Sequence, residues 1–167
     1  QTIRPCDHKS LTREKSTRKK YVAMVRINKL QSLNNNIIDS IQSLFPQLTK
    51  YSPLPDKESI QAIIDSPTVS LWIAENEELK IVGMLNLAIY RTTTGVHAWI
   101  EDVVVDKNAR KQGIATQLTL AAIEYARDNG AKAVSLTSRP EREAANQLYQ
   151  KLGFTLVETN LFRMKLG

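Results

Sequence analysis

Residues 99–115, Trp-Ile-Glu-Asp-Val-Val-Val-Asp-Lys-Asn-Ala-Arg-Lys-Gln-Gly-Ile-Ala, join an apolar β-branched run to an amphipathic helical pattern through a short basic loop. A strand-to-helix loop of this kind aims several backbone N–H groups, and the positive end of the helix dipole, at one point. Arg110 and Lys111 add full positive charge there, and Gly113 has no Cβ, so an anion can approach the main chain closely. The stretch predicts a pocket for a phosphate or pyrophosphate group. Two familiar phosphate loops are excluded, since no G-x-G-x-x-G follows a strand and no Walker-type glycine-lysine loop occurs.

Working outward, the residues before the loop read as a strand, Val96 to Val105, preceded by a turn at Thr92 to Gly95. Val69 to Glu75 and Lys80 to Thr92 read as two earlier strands joined by a hairpin loop, Asn76 to Leu79. Residues 22–28 alternate as a first strand. Ile37, Ile38, Ile41, Leu44 and Phe45 fall on one helical face, with caps among Asn34 to Asn36 and an end at Pro46. Pro46 to Pro55 predicts a loop, and Asp56 caps a second helix carrying Ile60, Ile63 and Ile64 before Pro67.

After the loop, Gly113 to Asn129 predicts a helix that turns Ile114, Leu118, Ala121, Ala122, Tyr125 and Ala126 inward, with Gly130 as its left-handed terminator. Lys132 to Ser138 predicts a strand, and Pro140 to Leu152 a helix with its proline in the first turn. A final strand pair, Phe154 to Thr159 and Leu161 to Leu166, is expected around Asn160. The order β-α-α-β-β-β-α-β-α-β-β predicts an α/β fold with a mixed, mostly antiparallel sheet flanked by helices on both faces.

The chain has 167 residues, 42% hydrophobic and 24% charged, which suits one globular domain. No apolar run approaches the ~18 residues that span a bilayer. Cys6 is the sole cysteine, so no intrachain disulfide framework exists; with only His8 and His97 beside it, no His/Cys metal cluster is expected. A reducing cytoplasm is the expected compartment. The net charge of +6 belongs mostly to residues 1–24, where seven basic residues face two acidic ones. That leaves 16 of 23 basic and 15 of 17 acidic side chains for the other 143 residues, so the domain is near neutral. Residues 1–23 are expected to be a basic leader outside the fold, and residues 24–167 the folded domain. A solvated tail is the preferred reading of the leader over a nucleic-acid arm, since it offers only Tyr21 for base stacking.

The six residues Arg110 to Ala115, R-x-x-G-x-A directly after a strand, resemble the acetyl-CoA-binding motif of the GCN5-related N-acetyltransferases. The element order resembles that family over residues 22–166. The resemblance implies an N-acetyltransferase that moves the acetyl group of acetyl-CoA to a primary amine by direct attack in a ternary complex. It implies that the pyrophosphate sits on N–H groups of Lys111, Gln112, Gly113, Ile114, Ala115 and Thr116, beside Arg110. It also implies that the strand ending in Val103, Val104 and Val105 splays from its neighbour, so that its backbone bonds the pantetheine arm and one of its N–H groups serves the oxyanion.

Arg142-Glu-Ala-Ala-Asn-Gln-Leu-Tyr149-Gln-Lys-Leu-Gly153-Phe154 resembles the family's N-x-x-A-x-x-L-Y-x-x-x-G-F block. That implies Tyr149 as general acid toward the thiolate, a role that suits a phenol with an ordinary pKa near 10. Arg142 replaces the usual asparagine and either reaches the cofactor as a cation or points to solvent; Asn146 is out of register, and no contact transfers to it. The amine must lose a proton before attack. Glu101 is the leading base, placed by strict alternation on the face of Val103, with Asp102 on the opposite face as second choice and His97 third. A structural role for Glu101, in a salt bridge or a cap, stands as an equal alternative. Thr137, Ser138 and Arg139 are expected to line the acceptor side, with Lys50 and Tyr51 in the loop between the first helices. The acceptor class stays open between small and protein amines, and a homodimer is an option. Two rival readings stand beside this one: a non-catalytic acyl-CoA sensor, and a nucleic-acid-associated protein using its leader.

Overall fold

The computed structural model describes residues 24–166, so the basic leader lies outside the described residues. Five strands form one sheet in the order β1-β2-β3-β4-β5. They are β1 (Arg26–Lys29), β2 (Val69–Glu75), β3 (Ile81–Thr92), β4 (Gly95–Val105) and β5 (Val134–Leu136). The first three pairings are antiparallel and β4 pairs with β5 in parallel, through the crossover helix α3 (Ile114–Asp128).

Two helices cover one face: α1 (Asn35–Leu48), capped by the Asn34 side chain on the Ile37 N–H, and α2 (Lys57–Ile64), capped by Asp56 on the Ser59 N–H. Ile41, Leu44 and Ile60 meet Leu71, Ile73, Ile81, Met84 and Val104 in that layer. On the other face Ile114, Leu118, Ala122 and Ala126 of α3 meet Leu85, Leu87, Ala98 and Ile100. Helix α3 approaches closely because Gly83 has no side chain; a Cβ there would lie 3.1 Å from Ile114 Cγ2 and 3.2 Å from Leu118 Cδ1. Tyr125 fixes the far end of α3, with Trp72 edge-on at 5.3 Å and Lys29 Nζ 3.2 Å from its hydroxyl. The mixed sheet with helices on both faces is thus as the alternation of elements predicts.

Four expectations are corrected. Pro46 does not end α1, which runs to Leu48. The proline costs one intrahelical bond, but the last turn is held by Thr49 N–H to the Phe45 carbonyl and by the Gln47 side chain. The first strand covers Arg26–Lys29 rather than 22–28, part of which lies outside the described residues. The last helix, α4 (Glu143–Lys151), starts after Pro140, because Arg139 to Arg142 close a separate turn. Finally, residues 154–166 form no strand pair, and Leu156, Phe162 and Leu166 stand almost fully exposed. No helix among the described residues is long and apolar enough to cross a membrane.

Candidate active site

Asp106 builds the loop after β4. Its carboxylate accepts the Asn108 N–H at 2.8 Å and the Gln47 side-chain amide at 3.0 Å, while Gln47 Oε1 accepts the Lys107 N–H at 2.9 Å. These donors, the Asn108 N–H first, hold the Asp106 carboxyl below its ordinary range. The loop is thereby tied to the end of α1. Arg110 folds back, its Nε donating to the Val105 carbonyl at 3.1 Å, so part of the expected cation is spent on closing the loop.

Lys111 (φ 64°) and Gly113 (φ 82°) both take left-handed backbone, and α3 begins at Ile114 with no side-chain cap. The Gln117 N–H makes the first intrahelical bond, to Gly113. The N–H groups of Ile114, Ala115 and Thr116 consequently have no intrahelical acceptor. Uncapped N–H groups at a helix start, flanked by left-handed residues, form an anion-binding concavity. A cleft of about 320 Å³ lies on the outer side of this loop, between Asn76–Lys80 and Asp106–Gln112, and includes neither Tyr149 nor Glu101.

β4 and β5 are paired only over Ala98–Ile100 and Val134–Leu136. Beyond Ile100, β4 runs on to Val105 with no β5 partner, while the chain after Leu136 turns off toward α4. The sheet is therefore split next to the loop.

Glu101 does not share a face with Val103. The register passes from Met84↔Val104 to Asn86↔Glu101, which places one extra residue in β4, and Asp102 takes φ 54°. A bulge of this kind breaks the two-residue alternation and leaves a residue unpaired. Val103 and Val105 pack on the α3 side and Val104 on the α1 side. Glu101, opposite Asn86, faces the α1 side with Val104. Asp102, expected on the other face, turns its Oδ2 to Asn86 Nδ2 at 3.1 Å, so both carboxylates lie beside Asn86. Asn86 Oδ1 and the nearby Trp99 Nε1 are buried without partners among the described residues. Sequence reading missed Asn86, although an asparagine between Leu85 and Leu87 in a buried strand is the available signal.

Tyr149 is 9% exposed on α4, edge-on to Phe154 at 5.7 Å, and its hydroxyl makes no hydrogen bond among the described residues. Burial pushes its phenol above the ordinary 10.0, partly opposed by the Arg142 charge. Arg142 precedes the first turn of α4, and its Nη2 lies 3.5 Å from the Leu48 carbonyl at the end of α1. Asn146 closes the preceding turn, donating to the Arg139 carbonyl at 3.0 Å. Ser138 Oγ is buried without a partner among the described residues. His97 sits at the far hairpin, stacked on Tyr90 with its Nε2 3.0 Å from Thr94 Oγ1, about four strand residues (~13 Å) from Glu101. Tyr51 is exposed in the loop after α1.

The acetyltransferase (GNAT) family model matches residues 34–154. GCN5-related N-acetyltransferase 6, chloroplastic, of Arabidopsis thaliana is 35% identical over 83 residues, 50% of this chain and 29% of that protein. N-alpha-acetyltransferase 30 of Schizosaccharomyces pombe is 36% identical over 88 residues, 53% of this chain and 58% of that protein. The chain thus spans less than two-thirds of the curated relatives it matches. Among solved structures, an aminoglycoside acetyltransferase from an uncultured soil metagenomic sample superposes with a TM-score of 0.75 at 24% identity, covering 86% of this chain and 97% of that one. An aminoglycoside acetyltransferase in complex with a CoA-containing bisubstrate analog superposes at 0.69 and 20% identity, over 87% of this chain and 100% of that one. The fold is that of acetyl-CoA-dependent acetyltransferases, and the chain belongs to the GCN5-related N-acetyltransferase family.

Proposed function

We propose that the chain is an N-acetyltransferase that carries the acetyl group of acetyl-CoA directly to a primary amine. The observation that carries this reading is the uncapped first turn of α3, with the N–H groups of Ile114 to Thr116 led in by left-handed Lys111 and Gly113 beside the split between β4 and β5. The pyrophosphate is bound by those N–H groups, and the pantetheine arm lies along the unpaired edge of Val103 to Val105. An N–H group in that stretch stabilises the tetrahedral oxyanion.

Glu101, or Asp102 beside it, removes the ammonium proton from the acceptor. The nitrogen lone pair then forms the C–N bond, the C–S bond breaks, Tyr149 donates its phenolic proton to the sulfur, and the second proton shed by the nitrogen passes through solvent to restore the phenol. A phenol raised above 10.0 stays protonated at neutral pH, as that role requires. Arg142, tied toward α1, positions the start of α4 and keeps a positive charge near the phenol.

The acceptor side lies on the face of Asn86, Trp99, Glu101 and Asp102, where acceptor oxygens suit an ammonium group. The basic leader is read as a solvated tail outside the catalytic domain, and the cytoplasm as the compartment. The test is a thiol-release assay with acetyl-CoA against a panel of small amines, amino acids, amino sugars and peptide N-termini. Amine-dependent release supports the reading; none with any amine, despite bound acetyl-CoA, points to a sensor instead.

A further inference from the structure

The last turn of α1 is held from outside the helix. Pro46 has no N–H, which leaves the Gln42 carbonyl without its intrahelical donor. Three other parts of the chain reach this end of α1. The Gln47 side-chain amide uses both of its ends on the loop after β4: Nε2 donates to Asp106 Oδ2 at 3.0 Å, and Oε1 accepts the Lys107 N–H at 2.9 Å. Arg142, just before α4, brings its Nη2 to 3.5 Å from the Leu48 carbonyl. Gln42, earlier on α1, donates Nε2 to the Pro55 carbonyl at 2.9 Å.

That last bond makes residues 49–55 a loop that leaves α1 and returns to it. Between its two anchors the loop has little hold of its own. The Tyr51 N–H bonds Thr49 Oγ1 at 3.2 Å, while Lys50 and residues 52–54 make no hydrogen bond among the described residues. Tyr51 and Leu54 are 88% and 55% exposed. A segment with so few bonds opens at small cost, so its setting follows the turn it springs from. The loop continues α1, which packs on the side of the sheet that carries Asn86 and Glu101.

The contact of Gln47 admits one chemistry. The ionised Asp106 carboxylate only accepts and the Lys107 N–H only donates, so the side chain between them must present one donor and one acceptor in a fixed fork. An amide does so; a carboxylate or an apolar group does not. We propose that Gln47 is a positioning residue that couples the coenzyme loop to residues 49–55. A diphosphate at the start of α3 fixes the chain from Asp106 onward, the Gln47 amide passes that constraint to the last turn of α1, and the loop beyond it settles. Binding couplings are reciprocal, so an acceptor that orders residues 49–55 in turn tightens the hold on the coenzyme. The proposal rests on the acetyltransferase reading, since it needs coenzyme A at the start of α3.

The test uses coenzyme A and the full chain, with affinity read by calorimetry and local order by amide hydrogen exchange. In the wild type, saturating coenzyme A should slow exchange at residues 106–116 and, by about fivefold or more, at residues 49–55. Gln47→Ala should bind coenzyme A about 5- to 20-fold more weakly. At matched occupancy it should keep the slowing at 106–116 and lose it at 49–55. Gln47→Glu alone opposes two carboxylates, and Asp106→Asn alone opposes two amide donors, so each should behave like Gln47→Ala. Combined, the two changes reverse the polarity of the contact. The new amide donates to the new carboxylate, whose second oxygen accepts the Lys107 N–H, and the Asn108 N–H keeps its acceptor. Affinity should return to within about twofold of the wild type, with the slowing at 49–55 restored. A general loss of stability would not produce that rescue.

Slowing at 49–55 that persists in Gln47→Ala, or a double variant no better than either single one, overturns the proposal. Slowing at 106–116 alone in the wild type also overturns it, and leaves the acetyltransferase reading standing. No binding and no slowing anywhere sinks that reading and the coupling with it.

Discussion

The side-chain amide of Asn86 donates to the carboxylate of Asp102 at 3.1 Å, across a bulge that brings Glu101 opposite the same asparagine. One extra residue in β4 therefore gathers two carboxylates on one face, where regular alternation would divide them. If a carboxylate here removes the ammonium proton, Glu101→Gln should lower kcat/KM for the amine by about 10²–10⁴-fold while leaving acetyl-CoA affinity unchanged. Asp102→Asn should cost less. The reverse order, read by thiol release, would move the base to Asp102.

Tyr149→Phe should reduce kcat by about 10²–10⁴-fold with acetyl-CoA affinity held within twofold, because a donated proton is lost and little packing changes. The pH profile carries a second check. If the phenol is the proton donor, activity needs its protonated form, and burial raises its pKa above 10.0, so the tyrosine gives no alkaline loss of kcat below pH 10. A loss of kcat centred below that value and abolished in the phenylalanine variant would contradict the environment described.

Asp106→Asn removes a carboxylate that accepts from both Asn108 and Gln47. Each bond to an exposed charged acceptor of this kind contributes about 1 kcal/mol, so the melting temperature should fall by a few degrees. Because the folded carboxyl titrates below 3.8, its contribution is complete above that pH and is lost as pH falls through the lowered folded value. The wild-type and variant stabilities should therefore converge in acid, as seen by thermal unfolding at several pH values.

Gly83→Ala tests the seating of α3. Its Cβ would meet Ile114 at 3.1 Å, Leu118 at 3.2 Å and the Val104 carbonyl at 3.3 Å. Overpacking of this order costs about 1–3 kcal/mol, and it pushes on the first turn of the helix that presents the N–H groups. Lower stability together with weaker acetyl-CoA binding is expected; a change in stability alone would separate that helix start from the ligand.

Much of this architecture is legible from local pattern. Val69 to Glu75 reads as a strand to the residue, since β-branched and apolar side chains there are bounded by Pro67 and the Asn76 turn. Gly130 reads correctly as the left-handed terminator of α3 because only glycine takes that position without cost. What escaped is non-local. The bulge at Asp102 has no glycine to announce it, so alternation assigned Glu101 to the wrong face. Pro46 stays helical because Gln47 is anchored by Asp106, some sixty residues away. The tail keeps a strand pattern in sequence while finding no partner strand within the described residues, a property of the neighbouring edge rather than of residues 154–166 themselves.

In the proposed reaction the main chain at the start of α3 grips the diphosphate of acetyl-CoA, with Gly113 at φ 82° leading into the uncapped turn. A left-handed alanine costs about 1–2 kcal/mol, so the free loop of Gly113→Ala should relax out of that conformation and regain it only on binding, which weakens affinity roughly 5- to 30-fold. Calorimetric titration of acetyl-CoA into the wild-type chain and this variant measures it directly. Saturable binding by the wild type and that loss in the variant are expected; no binding by the wild type at millimolar ligand, or equal affinity in both, would rule out the diphosphate site at this helix start.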